Sequence, residues 1–163
     1  MVSIFDMTRN LSFYTIPAAW VLCLAPHVWA TQAYDAASSK KFDLTEPRSF
    51  AARVKEDQTI TKAQRDMIIR AEGAQQNGFE NIGLFAAAVT AANLAGGLDN
   101  QTLNLLSGGY LLSRIVYNFV YINNDSLGLA NTRTGVFLTG IAIKMAMFAM
   151  AGNNLRKAVA VKL

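Results

Sequence analysis

The sequence predicts an all-α fold: a four-transmembrane-helix antiparallel bundle forming one domain over residues 1–163. Three observations predict it. Four apolar segments, at about 13–34, 75–98, 103–122 and 134–152, are each near the ~20 residues a helix needs to cross the ~30 Å hydrocarbon core of a bilayer. Apolar residues make up 52% of the chain and charged residues only 16%, against a usual charged share of about 25%. Charge is also segregated: of 26 charged residues, 15 lie between Asp35 and Glu72. A soluble globule would interleave those charges within each helix; a bilayer sorts them out of the spans.

The first segment, FYTIPAAWVLCLAPHVWATQAY, carries Tyr14, Trp20, Trp29 and Tyr34, which suit interfacial anchoring. Pro17 and Pro26 should kink or locally restrict this helix, which membrane bundles tolerate. It lacks the basic n-region of a signal peptide, and its apolar run is long for one, although Ala30–Ala33 offers small residues of the cleavage-site kind. The long connection, 35–73, is charged and helical in its second half, where TITKAQRDMIIRAEGA has apolar residues at helical spacing and Thr59 or Thr61 as N-cap. The second segment opens with AQQNGFENIGLF and runs into the small-residue stretch AAAVTAANLAGG. GGLDNQT then makes a tight turn, and NNDSLGLANTR forms the polar loop before the fourth segment. The Ala/Gly faces let helices approach closely.

Lysine and arginine placement sets the orientation. The long loop carries eight such residues and the third connection adds Arg133, against Arg9, Arg156, Lys157 and Lys162 on the other side. Nine against four places the long first loop in the cytosol and both termini on the lumenal side. Asn10, Asn100 and Asn124 begin N-x-S/T triplets, read here as chance matches: Asn124 would face the wrong side and Asn100 lies too close to the membrane. Cys23 and His27 are the only cysteine and histidine, which excludes a disulfide framework and a Cys- or His-rich metal site within one chain. The basic residues alternate with acids, so no nucleic-acid footprint is expected.

The intramembrane polar residues are Asn77, Glu80, Arg114, Tyr117, Asn118, Tyr121 and Lys144. Arg70, Asn77 and Glu80 are spaced by seven and three, and so share one helix face. Arg114, Tyr117, Asn118 and Tyr121 fall at i, i+3, i+4 and i+7, again one face. The second and third segments are joined by a short turn and should pack antiparallel, which brings Glu80 and Arg114 to similar depth. A carboxylate beside lipid costs several kcal/mol unless it is paired, so Glu80 is expected to pair with Arg114, either to fix register or to serve a site. Lys144 has no acidic partner on its own helix, which leaves it to snorkel, to pair with Glu80, or to line a cavity. His27, without a His or Cys companion, reads as a hydrogen-bonded structural residue rather than a ligand.

Ala-Gln-Gln-Asn-Gly-Phe-Glu-Asn-Ile (74–82), followed by Phe85, resembles the second-helix signature of the MAPEG family, the membrane-associated proteins of eicosanoid and glutathione metabolism. Arg114-Ile-Val-Tyr117-Asn-Phe-Val-Tyr121 is similar to its third-helix signature, and Arg133-Thr134 to the Arg-Ser/Thr that opens its fourth helix. The resemblance spans nearly the whole chain and looks closest to the fungal branch. It implies a homotrimer in the endoplasmic reticulum, with sites between subunits near the cytosolic side, glutathione as cofactor, no metal, and a lipophilic electrophile as substrate. Carried over residue by residue, it implies that Arg70, Asn77, Glu80, Arg114, Tyr117 and Tyr121 bind glutathione. Arg133 would activate the thiol, with Thr134 beside it as a hydroxyl donor. The chemistry is reasonable, because a free thiol titrates near ~8.5 and a guanidinium within reach stabilises its anion.

Departures from the family pattern matter as well. Many members have Arg directly before the signature Ala, in contact with glutathione; here that position is Gly73, preceded by Glu72. Gln75 stands where His is common, and Glu46-Pro47-Arg48-Ser49 replaces the Asn-Pro and Asp of prostaglandin-synthase relatives. Three function classes follow. The first is a glutathione-dependent transferase, peroxidase or isomerase. The second is a glutathione-independent isomerase or cyclase of a hydrophobic metabolite in the same cleft, with Glu80, Tyr117, Tyr121, His27 or Lys144 as acid or base. The third is a non-enzymatic membrane scaffold.

Overall fold

The computed structural model describes residues 8–160; Lys162, counted above in the charge balance, lies outside the described residues. Among them are five α-helices: α1 (Thr15–Ala37), α2 (Phe50–Glu56), α3 (Lys62–Leu94), α4 (Asn100–Ile122) and α5 (Leu127–Ala160). Short 3-10 turns precede α1 and α2. Helix α3 is the centre of the bundle and packs against every other α-helix; α4 also packs on α1 and α5.

The helices overrun the apolar segments. The amphipathic end of the long loop and the second segment fuse into one rod, α3, of 33 residues or about 50 Å. Its start is set by Thr61, whose hydroxyl accepts from the Gln64 amide while the Gln64 side chain accepts from the Thr61 amide, a capping box. No proline follows to stop the helix before the membrane. Helix α5 likewise begins at Leu127, so Arg133 and Thr134 lie two turns inside it rather than at its mouth. Among the described residues, only the stretches Ser12–Ala37 and Leu127–Ala160 are long and apolar enough to cross a membrane on composition alone. Helices α3 and α4 fall short because they carry the polar residues that face one another across the bundle.

The turn between α3 and α4 has Gly96 and Gly97 at φ +67 and +74, left-handed values that a side chain rarely tolerates. Asn154 of α5 donates to the Gly96 carbonyl at 2.7 Å, and Asp99 caps α4 by accepting from the Thr102 amide at 2.8 Å. One apolar core lies in the bundle, with Phe85 stacked on Tyr110 at 3.9 Å between ring centroids and Ala88, Val89 and Met147 fully enclosed.

Pro26 lies inside α1 and has no N–H to give the Leu22 carbonyl. Asn118 of α4 repairs the gap, donating its Nδ2 to Leu22 O at 2.9 Å. The prolines therefore do not interrupt α1; the interior one is satisfied from the neighbouring helix.

A second core sits under the long loop, where Ala30, Tyr34, Phe50, Val54, Ile60 and Ile68 pack together. Asp57 is the hub of this region, with its side chain fully buried. It accepts from the Tyr34 hydroxyl at 2.8 Å, the Ser38 hydroxyl at 2.6 Å, and the Thr59 amide and hydroxyl at 2.9 and 2.8 Å. Tyr34, expected at the membrane interface, is instead only 3% exposed and committed to Asp57; Tyr14, Trp20 and Trp29 do lie on the outer surface.

The Ser38 hydroxyl first, then the Thr59 amide, hold the Asp57 carboxyl well below the usual carboxylate range. Its folded pKa is thus depressed below the unfolded value of about 3.9. The stabilisation is complete above that pH and is lost as the pH falls toward the folded value. Asp57→Asn should lower the melting temperature at pH 7 and flatten the acid sensitivity; superimposable wild-type and variant pH curves would remove Asp57 as the hub. Asn118→Leu leaves the Leu22 carbonyl unpaired and should cost about 1–3 kcal/mol, read as a drop in thermal stability in detergent. An unchanged transition would mean that α1 is satisfied some other way.

Candidate functional site

Asn77, Tyr117, Tyr121, Arg133, Thr134 and Phe137 surround one cavity of about 230 Å3. Helix α3 supplies Asn77, α4 the two tyrosines one turn apart, and α5 the remaining three. The rings of Tyr117 and Tyr121 meet edge to face at 5.4 Å. The Arg133 guanidinium lies over the Tyr121 ring, 4.7 Å from its centroid. Thr134 donates its hydroxyl to the Ala130 carbonyl at 3.1 Å, which leaves the oxygen free to accept.

Arg114 lies beneath this cavity and is only 3% exposed. Its Nη1 donates to Asn77 Oδ1 at 3.3 Å, and its guanidinium sits 4.5 Å from the Tyr117 ring centroid and 5.4 Å from that of Tyr110. A Cβ on Gly140 would come within 2.9 Å of Arg114 Nη2, so the glycine makes the space for this cation. The expected Glu80–Arg114 pair does not form. Glu80 is three residues beyond Asn77 and about 60° round the helix from it; Asn77 takes the contact with Arg114, and Glu80 lies on the exposed side. There it accepts from Gln76 Nε2 at 3.1 Å.

Lys144 is the second buried cation, 1% exposed, and donates to Asn81 Oδ1 at 2.8 Å. It neither snorkels nor meets Glu80. Arg70 is also committed: its Nε donates to the Ile122 carbonyl at 2.8 Å and closes the C-terminus of α4. This bond also fixes the loop end of α3 beside the α4–α5 connection, so Arg133 stands at the same end of the bundle as the long loop.

Gly73 explains one departure in physical terms. A Cβ there would lie 2.9 Å from the Tyr121 hydroxyl and 3.3 Å from its ring carbons. The tyrosine has taken the room in which an arginine side chain would begin. Sequence reasoning missed two further contacts. Glu72 Oε1 lies 2.7 Å from His27 Nδ1, joining α3 to α1. Asn81, the last polar residue of the quoted motif, turns out to hold Lys144. Among the described residues no group of three or more His, Cys, Asp or Glu side chains is placed to hold a metal ion.

A family model of the MAPEG family matches residues 14–153, from the start of α1 to the last turns of α5. The chain belongs to the MAPEG family. No curated protein and no solved structure matches it significantly. MAPEG proteins are membrane helical bundles that generally use glutathione, as transferases, isomerases or peroxidases, and commonly form trimers. The residues around the small cavity fit one end of glutathione: a cation, two phenols and an amide where a thiolate would lie. They fit the carboxylate end less well within one chain, because Gly73 offers no cation and Arg70 is engaged.

The Gly73–Tyr121 contact is testable in this MAPEG chain. Gly73→Ala should destabilise by about 1–3 kcal/mol through overpacking. In a Tyr121→Leu background the same change should stabilise by about 1 kcal/mol, the helix preference for Ala over Gly. Equal effects in the two backgrounds, measured by thermal unfolding, would show that the two residues are not coupled.

Proposed function

We propose that the protein is a glutathione-dependent transferase, peroxidase or isomerase acting on a lipophilic electrophile, within the fungal branch of its family. The observation that carries this reading is the Arg133 guanidinium held over Tyr121 at the edge of the small cavity, beside Thr134, Tyr117 and Asn77. Glutathione, when bound, supplies the thiol whose anion attacks the electrophile. Arg133 stabilises the negative sulfur by charge and hydrogen bonding. Thr134 and Tyr117 orient it, and Asn77, Tyr121 and Arg114 brace the pocket. Arg114 adds a fixed positive charge below the cavity that favours an anion above it. Arg70 and Glu80 complete the set from α3, with Arg70 acting through the α4 terminus it closes.

A homotrimer supports the same reading. In a lone chain, Gln76 and Glu80 form an exposed polar face on α3, which lipid disfavours strongly. A second copy against that face would cover it and add the cation that Gly73 lacks. The four long helices then cross the bilayer of the endoplasmic reticulum, with the 35–73 loop cytosolic and the termini lumenal. One observation favours a second reading, a glutathione-independent isomerase or cyclase: the Tyr121 hydroxyl fills the position of an anchoring arginine.

Titration of the detergent-purified protein with glutathione decides between them. A saturable ultraviolet thiolate signal is expected. Arg133→Ala should lose at least about tenfold of it, one pKa unit or about 1.4 kcal/mol, with the oligomer unchanged on size exclusion. A thiolate signal that survives Arg133→Ala would sink the role of that residue, and no signal at millimolar glutathione would favour the second reading.

A further inference from the structure

The position that lacks a cation borders a second, larger cavity. Gly73 lines a space of about 1070 Å3 between α1, the loop and α3, together with His27, Arg48, Glu72 and Glu80. This space adjoins the smaller cavity at Gly73. The Tyr121 hydroxyl lies 2.9 Å from where a Cβ on that glycine would be, and the ring of the same tyrosine carries the Arg133 guanidinium at 4.7 Å. One phenol therefore separates the two spaces. An extended tripeptide reaches about 10 Å, long enough to pass it, so a glutathione with its sulfur at Arg133 can extend one end into the larger cavity.

Arg48 is the cation free to meet that end. It is exposed, and among the described residues it has no hydrogen bond, ion pair or ring contact. The neighbouring arginines are engaged: Arg53 donates to Asp43 at 2.7 Å, Arg65 to the Ile60 carbonyl at 3.2 Å and Arg70 to the Ile122 carbonyl at 2.8 Å. The backbone under Arg48 is held although its side chain is not. It sits in the 3-10 turn Pro47–Ser49, where the Ser49 amide donates to the Glu46 carbonyl at 3.1 Å and Arg53 Nη2 donates to the same oxygen at 2.9 Å. Phe50, two residues on, is 1% exposed and packs edge-on against His27, whose Nδ1 lies 2.7 Å from Glu72 Oε1 of α3. A guanidinium carried on a fixed turn has less freedom to lose when it binds.

The charges on the cavity select which end of the tripeptide enters. Glu72 and Glu80 are both on its wall. The glycine end of glutathione is a bare carboxylate, which they repel. The γ-glutamyl end carries an ammonium beside its α-carboxylate, so it can offer one charge to Arg48 and the opposite charge to the exposed Glu80.

We propose that Arg48 binds the α-carboxylate of the γ-glutamyl residue of glutathione, supplying the cation that position 73 lacks. Its planar fork suits a carboxylate through two parallel N–H···O bonds. The assignment rests on the glutathione reading above and adds to it a residue from outside the helix motifs. The cavity includes the exposed α3 face that a second copy would cover, so every contact between copies in a homotrimer holds one Arg48.

The test titrates the whole detergent-purified protein with three thiols and follows the ultraviolet thiolate signal. The first is glutathione. The second has γ-aminobutyrate in place of γ-glutamate and so lacks only the α-carboxylate. The third is the glycine ethyl ester of glutathione, which masks the other carboxylate. In the wild type the γ-aminobutyryl analogue should bind about tenfold or more weakly than glutathione, as loss of a charge-assisted bond implies. Arg48→Gln should weaken glutathione by a similar factor, lose nothing further with the analogue, and keep the signal at saturation, which Arg133 sets. Arg48→Lys should recover part of the affinity, and it replaces Arg48→Gln in the comparison should that variant fail to assemble on size exclusion. The ester should cost wild type and variant the same factor. A variant that binds glutathione as the wild type does, or that still discriminates against the analogue, would overturn the proposal and leave the thiolate site standing. A variant indifferent to the ester instead would overturn the assignment to the γ-glutamyl end. A wild type without a thiolate signal for any of the three would overturn the glutathione reading, and the role of Arg48 with it.

Discussion

The bundle is organised around a guanidinium that cannot leave it. Arg114 is almost wholly enclosed, and its guanidinium is a cation. A buried charge costs several kcal/mol, and the usual remedy, a carboxylate, is absent from its surroundings. Two tyrosine rings, each worth roughly 0.5–2 kcal/mol to a cation, and one amide oxygen take its place. The rest follows from that substitution. Gly140 must be a glycine to admit the side chain, Asn77 must face α4, and Tyr110 and Tyr117 must present their faces rather than their hydroxyls. Lys144, close enough to Tyr110 to share its ring, needs its own amide in Asn81. Two cations in one core would repel, and separate amide partners keep each of them tied to α3.

Helix α3 carries two polar faces. One face meets α4 and α5 and carries Asn77 and Asn81. The other carries Glu72, which meets His27 of α1, and the exposed Gln76 and Glu80. Small residues make this possible: Ala71, Ala74 and Gly78 are buried where neighbouring helices come close, so the long polar side chains need not be spent on spacing. Because α3 is unbroken from the capping box at Thr61 to Leu94, the loop that roofs one cavity and the tyrosines that line the other are fixed to the same rod.

Much of this was legible in the sequence. The apolar runs located the four long helices, and the Arg114, Tyr117 and Tyr121 spacing correctly put three side chains on one face. The ends were not legible, because nothing between Thr61 and the membrane stops a helix, and because Asn131 and Thr132 are polar without being breakers. Glu80 went astray because spacing puts it on the same side as Asn77 but does not say which of the two reaches the guanidinium. The His27–Glu72 pair spans 45 positions and depends on how α1 is rotated against α3, which no spacing reports. The partner of Asn118 could have been found: a proline inside α1 leaves one carbonyl without a donor, and an amide on a facing helix is the natural remedy.

The tight crossing of α1 on α3 has a further consequence. At Gly78 a Cβ would touch the sulfur, Cβ and Cα of Cys23, all within 3.2 Å, and Cys23 is the chain's single thiol. A nucleophilic sulfur reacts only as an exposed thiolate, and this one is enclosed by backbone. The one thiol of the chain is thus kept from electrophiles and oxidants by the same close helix crossing that Gly78 permits.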